Sequence, residues 1–158
     1  MRLKDKVAIV TGGGRGIGKA ISQALASEGA IVVIAARTLS KLEETVEKIK
    51  SGGGRAKAIH ADVSDEKQVQ RMVAEALNDY GKVDILVNNS GIGGPTANVV
   101  DLRLEDWDEV LAINLTGSML CAREVLKHMI PHRRGNIVNI GKRWWKVRVP
   151  YEKSLLCF

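Results

Sequence analysis

The sequence predicts an α/β protein with a doubly wound, parallel sheet, and three observations carry that prediction. Short continuous apolar runs, such as Val7-Ala8-Ile9-Val10, read as strands buried on both faces. Between them lie stretches of ten or more residues with helical apolar spacing, as at Ile17, Ala20, Ile21, Ala24 and Leu25. The two patterns alternate along the chain, and strand–helix–strand units of this size require right-handed crossovers between parallel strands.

Each element follows in order. The first strand covers residues 7–10 and its helix residues 16–27, with a second buried strand at 31–36. Ser40 followed by Glu43 has the form of a capping box, opening a helix through residue 50 that Gly52-Gly53-Gly54 stops. No helix begins at that triplet, so it reads as a turn and not a phosphate loop. A third strand is expected at 56–61, a helix capped by Ser64 or Asp65 runs to about Tyr80, and a fourth strand covers 83–87. Residues 91–95 form a turn-rich loop. Residues 104–130 read as two helical stretches in near succession with Asn114 inside, and residues 135–140 as a fifth strand.

With 158 residues a single domain is the default, and 45% hydrophobic with 27% charged residues are ordinary globular values. No apolar run reaches the length of a membrane span, and the four-residue run Val7 to Val10 is too short for a signal peptide, so a soluble cytoplasmic protein is expected. Cys121 and Cys157 are too few for a disulfide framework or a metal site, and Cys121 reads as helix core. His60, His128 and His132 have no partners at metal spacing, so no metal is expected. The net charge of +6 is unevenly placed: residues 142–158 hold five Lys/Arg and one acid, while the other 141 hold 19 Lys/Arg and 17 Asp/Glu. The body is nearly balanced, which argues against a nucleic-acid partner.

The most informative stretch is Thr11-Gly12-Gly13-Gly14-Arg15-Gly16-Ile17-Gly18, between the first strand and first helix. Glycines there let the backbone approach a pyrophosphate, and the helix N-terminus supplies free N–H donors and positive dipole. In this strand-to-helix context the loop predicts a dinucleotide site.

The spacing Thr-Gly-x-x-x-Gly-x-Gly resembles that of the short-chain dehydrogenase/reductase family, classical type. Four further matches extend the resemblance. Asp62-Val63 matches its adenine-contacting pair, and Asn88-Asn89-Ser90-Gly91 its Asn-Asn-Ala-Gly signature with serine replacing alanine. Asn114 matches its helix asparagine, and residues 135–140 its fifth strand. The 3-oxoacyl-[acyl-carrier-protein] reductase-like branch is nearest, with sugar and steroid reductases left open. The resemblance implies a Rossmann sheet of order 3-2-1-4-5, here without the last two strands of the family. It implies cofactor contacts from Gly12, Arg15, Gly16, Ile17, Gly18, Arg37, Asp62, Val63, Asn88, Asn89 and Gly91. It also implies that Asn114 interrupts its helix and holds a water in a proton relay. Asn114 in an apolar helix is unfavourable in any case unless its amide is hydrogen-bonded, and the lesser alternative for Asp62 is a helix-capping residue near Ser64 and Asp65.

The second strand ends Ala35-Ala36-Arg37-Thr38, without the acid that bonds the ribose 2′-hydroxyl of NAD. Arg37 and Arg15 suit a 2′-phosphate instead, so NADP(H) is expected over NAD(H); the alternative is that both arginines are merely solvated.

Carbonyl reduction by the family uses a serine after strand five and a Tyr-x-x-x-Lys pair, whose i, i+4 spacing shares one helix face. The cation lowers the tyrosine pKa for acid–base work. Here Lys142 stands where the serine is due, and Tyr151 is followed by Lys153 at i+2, the wrong face. Asn114 alone survives of the catalytic set. Back-translation of residues 141–158 from the second base of each codon forces Gly-Gly at Trp144-Trp145, permits serine at Lys142 and permits tyrosine thirteen residues later. Residues 142–158 therefore read as an aberrant basic tail, frame-shifted near codon 141, after a nucleotide-binding domain at 1–141. The rival reading, a cationic aromatic arm for nucleic acid or anionic lipid, lacks the required amphipathic period. Two functions are carried forward: an NADP(H)-dependent oxidoreductase of a small carbonyl or alcohol substrate, and a non-catalytic dinucleotide-binding fragment. Pairing of copies through residues 116–130 is expected of an intact relative rather than of this chain, and no membrane partner is expected.

Overall fold

Five apolar runs become parallel strands in a computed structural model, which describes residues 1–141 and the backbone of residues 155–156. The strands are β1 (Val7–Thr11), β2 (Ile31–Ala36), β3 (Arg55–His60), β4 (Ile85–Asn88) and β6 (Asn136–Asn139), after a two-residue β5 (Ala97–Asn98). The helices are α1 (Gly16–Ser27), α2 (Leu39–Ser51), α3 (Glu66–Tyr80), α4 (Leu104–Leu111) and α5 (Gly117–Met129). The sheet order is β3-β2-β1-β4-β6. This is the expected 3-2-1-4-5 order, with the fifth long strand numbered β6 because β5 precedes it. β5 pairs antiparallel with β7 (Leu155–Leu156) in a separate two-stranded sheet.

Alternation along β1 explains the two layers of core. Ile9 joins Val33, Leu86, Met72 and Val125, on the side of α3 and α5. Val10 joins Ile34, Leu42, Val46 and Ile49, on the side of α1 and α2. Successive side chains of a strand point to opposite faces, so a strand covered by helices on both sides must be apolar throughout. All five residues of β1 are buried.

Below the sheet, Asp84 gathers three strands. Its carboxylate accepts from Val7 N at 3.0 Å and Lys6 Nζ at 3.3 Å. Its backbone N–H donates to Val7 O, and its carbonyl accepts from Asn136 N. Burial pushes the Asp84 carboxyl up, but the Val7 N–H and the Lys6 and Lys82 ammoniums outweigh it and hold the group below the usual aspartate range.

Several local expectations are corrected. The Ser40–Glu43 capping box does not form: α2 starts at Leu39 with extended Thr38 as its boundary residue and no side-chain cap. The cause is packing, since buried Leu42 and Thr45 seat the first turn of α2 against the glycine loop. The predicted stripe of α1 holds only in part, with Ile21 and Leu25 packed against the core. Gly18, Ser22 and Ala26 are its buried residues while Ile17 is 63% exposed, because the helix lies close to the sheet. The third strand lies one residue earlier than expected, and the fourth begins at Ile85 rather than Val83. Cys121 is buried in the core, as expected, and burial pushes its thiol up to about 12. Asp65 caps α3, accepting from Lys67 N and Gln68 N. Lys142, Tyr151, Lys153 and the tail reading lie outside the described residues. Among the described residues, no helix is long and apolar enough to cross a membrane.

Candidate functional site

The C-terminal ends of the strands open into a cleft of about 760 Å³, the size of a cofactor site. Its floor is the glycine loop. Gly16 has φ +51°, and a Cβ there would meet nothing within 4 Å, so the loop is bare where it faces the cleft. A Cβ on Gly18 would instead run into the Gly12 carbonyl oxygen and the Asn89 amide. Only hydrogen lets α1 begin this close to β1 and the end of β4.

The turn after β4 is tied to the loop by one hydroxyl and one amide. Thr11 Oγ1 accepts from Asn89 N and Ser90 N, both at 3.0 Å, and Asn89 Nδ2 donates to Thr11 O at 3.0 Å. Asn89, Ser90 and Gly91 then face the cleft. Asn88 does not. It is buried behind the wall, donating from Nδ2 to Asn139 Oδ1 at 2.9 Å and to Ser118 O at 3.1 Å. Asn88 Oδ1 has no partner among the described residues.

Asn114 lies in a single π-helical turn, Ala112–Thr116, between α4 and α5. Its amide is fully used by the loop after β4: Oδ1 accepts from Ile92 N at 2.9 Å and Nδ2 donates to Ile92 O at 3.0 Å. The side chain thus pairs with a backbone like a strand neighbour, which offsets the cost of an amide in this apolar helix. Its carbonyl accepts from Ser118 Oγ at 3.0 Å. Ile113, not Asn114, lines the cleft.

Arg15, Ile17, Arg37, Asp62 and Val63 all line the cleft with Gly12, Gly16 and Gly18. Asp62 also does the local work its sequence context allows, accepting at Oδ1 from Ser64 N at 2.9 Å and Ser64 Oγ at 2.7 Å. Its Oδ2 lies 3.9 Å from Arg37 Nη1. Sequence reading missed Lys19, Thr38, Lys41 and Glu44 in the wall. Lys41 carried a signal that went unused: it falls in the first turn of the helix that follows Arg37.

The electrostatics of the helix starts separate two kinds of helix. α3 has the Asp65 cap and Glu66 in its first turn, and α4 has Glu105 and Asp106. α1 and α2 have neither a side-chain cap bond nor an acid in the first turn; α5 shares this but continues directly from the π turn. Of these three, α1 and α2 are the helices whose first turns line the cleft. Their free N–H groups and dipoles are left for an anion. A dinucleotide fits this donor set: bare loop and helix start for the pyrophosphate, cations at the rim.

Comparison with known proteins agrees with this geometry. A family model described as short chain dehydrogenase matches residues 6–151. Glucose 1-dehydrogenase 2 of Bacillus subtilis (strain 168) is 42% identical over 141 residues, covering 88% of this chain and 55% of that protein. The 3-oxoacyl-[acyl-carrier-protein] reductase of Synechocystis sp. (strain ATCC 27184 / PCC 6803 / Kazusa) is 40% identical over 139 residues, covering 87% and 56%. Among solved structures, a metagenomic short-chain oxidoreductase in complex with NADP superposes with TM-score 0.89 at 36% identity, covering 94% of this chain and 67% of that one. An NAD⁺-bound xylitol dehydrogenase superposes with TM-score 0.85 at 34% identity, covering 88% and 54%. The chain spans about half the length of the curated relatives it matches.

Proposed function

The chain belongs to the short-chain dehydrogenase family, and we propose that residues 1–141 form a domain that binds NADP(H) in the cleft above the glycine loop. The observation that carries this reading is the pair of helix starts, α1 and α2, left without cap or acid where they face the cleft. The start of α1 and the loop Gly12 to Gly18 take the pyrophosphate. Arg15 and Arg37 take the 2′-phosphate, and no acid at the end of β2 competes for the ribose. Asp62 and Val63 border the adenine. Asn89 and Gly91 border the nicotinamide, with Asn88 and Asn114 holding that wall from behind through Asn139, Ser118 and Ile92.

When bound, the nicotinamide supplies or accepts the hydride of carbonyl and alcohol interconversion. This chain's own residues bind and orient it. A small carbonyl or alcohol substrate is supported by the names of the relatives, which include sugar and oxoacyl oxidoreductases. Met119 and Ile130, exposed at 48% and 67%, support pairing of copies through residues 116–130 in relatives that carry a second pairing helix.

The serine and Tyr-x-x-x-Lys that the family uses for proton transfer are not among these 158 residues. Position 142 is lysine, and neither Tyr80 nor Tyr151 has a lysine four residues on. We therefore favour the second of the two functions for the polypeptide as written: dinucleotide binding without turnover. Residues 142–158 are read as out-of-frame sequence. Sequencing the encoding DNA tests that point, since a shifted frame without Tyr-x-x-x-Lys contradicts it. For the function itself, titrate the 158-residue chain with NADPH by nicotinamide fluorescence and assay it on a carbonyl panel. Saturable binding without oxidation of NADPH is expected; steady turnover would overthrow the non-catalytic reading, and no binding the whole proposal.

A further inference from the structure

Four cations line the cleft, Arg15, Lys19, Arg37 and Lys41, against two acids, Glu44 and Asp62. Arg15 and Lys19 form no ion pair among the described residues. Arg37 is held loosely, 3.9 Å from Asp62. Lys41 is held closely: its Nζ lies 2.7 Å from Glu44 Oε1, one turn further along α2.

The backbone of Lys41 is fixed relative to the glycine loop. A Cβ on Gly14 would lie 3.2 Å from Lys41 Cβ, so the first turn of α2 rests on the loop that carries Arg15. The Thr45 hydroxyl is buried and shared between Gly14 O at 3.3 Å and Lys41 O at 3.0 Å, joining the two segments. Leu42 beside it is fully buried. The Lys41 side chain is 53% exposed and free to turn about this fixed point.

Resting on the reading that the cleft takes NADP(H), we infer that Lys41 is a third cation of the 2′-phosphate subsite, with Glu44 as the counter-charge that holds its ammonium until the phosphate takes it over. The exchange is downhill. An exposed lysine–glutamate pair contributes little in water, whereas an ammonium on a doubly charged phosphate makes one of the strong hydrogen bonds. Glu44 competes with the phosphate for that ammonium, and so weakens 2′-phosphorylated coenzyme more than its plain counterpart. The Lys41 ammonium also holds the Glu44 carboxyl below the usual glutamate range, helped by the charges of Lys19 and Lys48, so it stays ionised in this role.

Dissociation constants for NADPH and NADH, measured on the 158-residue chain, test the assignment. Lys41→Gln should weaken NADPH by about 10-fold and leave NADH within about 2-fold. Lys41→Arg should keep the preference for NADPH, which also shows that the site tolerates substitution. Glu44→Gln should tighten NADPH by about 3-fold, and the gain should vanish in the double variant, because Glu44 acts through Lys41. Competition by 2′,5′-ADP should follow NADPH. Equal losses for both coenzymes in Lys41→Gln, or none, overturn the role of Lys41, and an unchanged Glu44→Gln overturns that of Glu44. If Arg37→Gln still weakens NADPH alone, the cofactor reading survives either failure. NADH bound by the unaltered chain as tightly as NADPH would sink that reading itself.

Discussion

β1 and β6 are parallel strands of one sheet, and their C-terminal ends lie on the same side of it, but their surroundings are opposites. β1 has a neighbour on each side, is buried at all five residues and leads into the glycine loop that floors the cleft. Among the described residues β6 has one neighbour and no fully buried residue, and Val138 and Ile140 are 45% and 40% exposed. It leads to Gly141 and then to Lys142 in place of the family's serine. The glycine loop and cleft floor are thus carried by the sealed centre of the sheet. Among the described residues, β6 is held by Asn88, Asn139 and the β4 ladder.

The sharpest way to break this contrast is to shave one residue from each strand. Ile9→Ala, at a position with no exposure, should cost about 2–5 kcal/mol in urea unfolding. Val138→Ala should cost less than about 1 kcal/mol, as for other surface changes. Comparable losses would erase the difference. Next come two asparagines, Asn89 just after β4 and Asn139 at the end of β6. Asn89→Ala removes the donor to the Thr11 carbonyl and should cost about 1–3 kcal/mol together with weaker NADPH binding. Asn139→Ala should cost about 1 kcal/mol or less, since Asn88 keeps its bond to Ser118 O.

The pH dependence probes the residue that joins both strands from below. Asp84 has a folded pKa below its ordinary value of about 4. It therefore adds stability that is present above that value and lost as pH falls through the folded pKa. Asp84→Asn should flatten the acid limb of the stability curve below about pH 4, measured by chemical unfolding at stepped pH; an unchanged acid limb would remove Asp84 from that role. The smallest expected effect is at Ser40. As a residue inside α2 and not its cap, Ser40→Ala should change stability by less than about 0.5 kcal/mol in the same assay, against about 1 kcal/mol for a true N-cap.

The same contrast explains what was legible in the sequence. Where a strand is buried on both faces, an apolar run has one reading, so 31–36 was bounded to the residue, while the sheet order came from the family resemblance. The glycine loop was legible because its spacing, strand and helix all agree. Local rules failed where tertiary packing chose otherwise. Ser40 lost its cap role because buried Leu42 and Thr45 fix where α2 begins, and the face of α1 moved because small residues let it approach the sheet. Asn114 was legible as an anomaly, but its partner was not: nothing local points from an amide in a helix to the backbone of Ile92, 22 residues away. Lys41 escaped notice for a related reason, since an exposed helix lysine looks ordinary until the fold sets it beside the glycine loop.

The most direct test of a nucleotide site complete within the sealed part of the sheet is hydrogen exchange of the 158-residue chain with and without NADPH. Slower exchange is expected in the segments at residues 12–19, 37–41, 62–63 and 89–92, with little change at 136–139. Protection confined to residues beyond 136, or absent from the glycine loop, would contradict it.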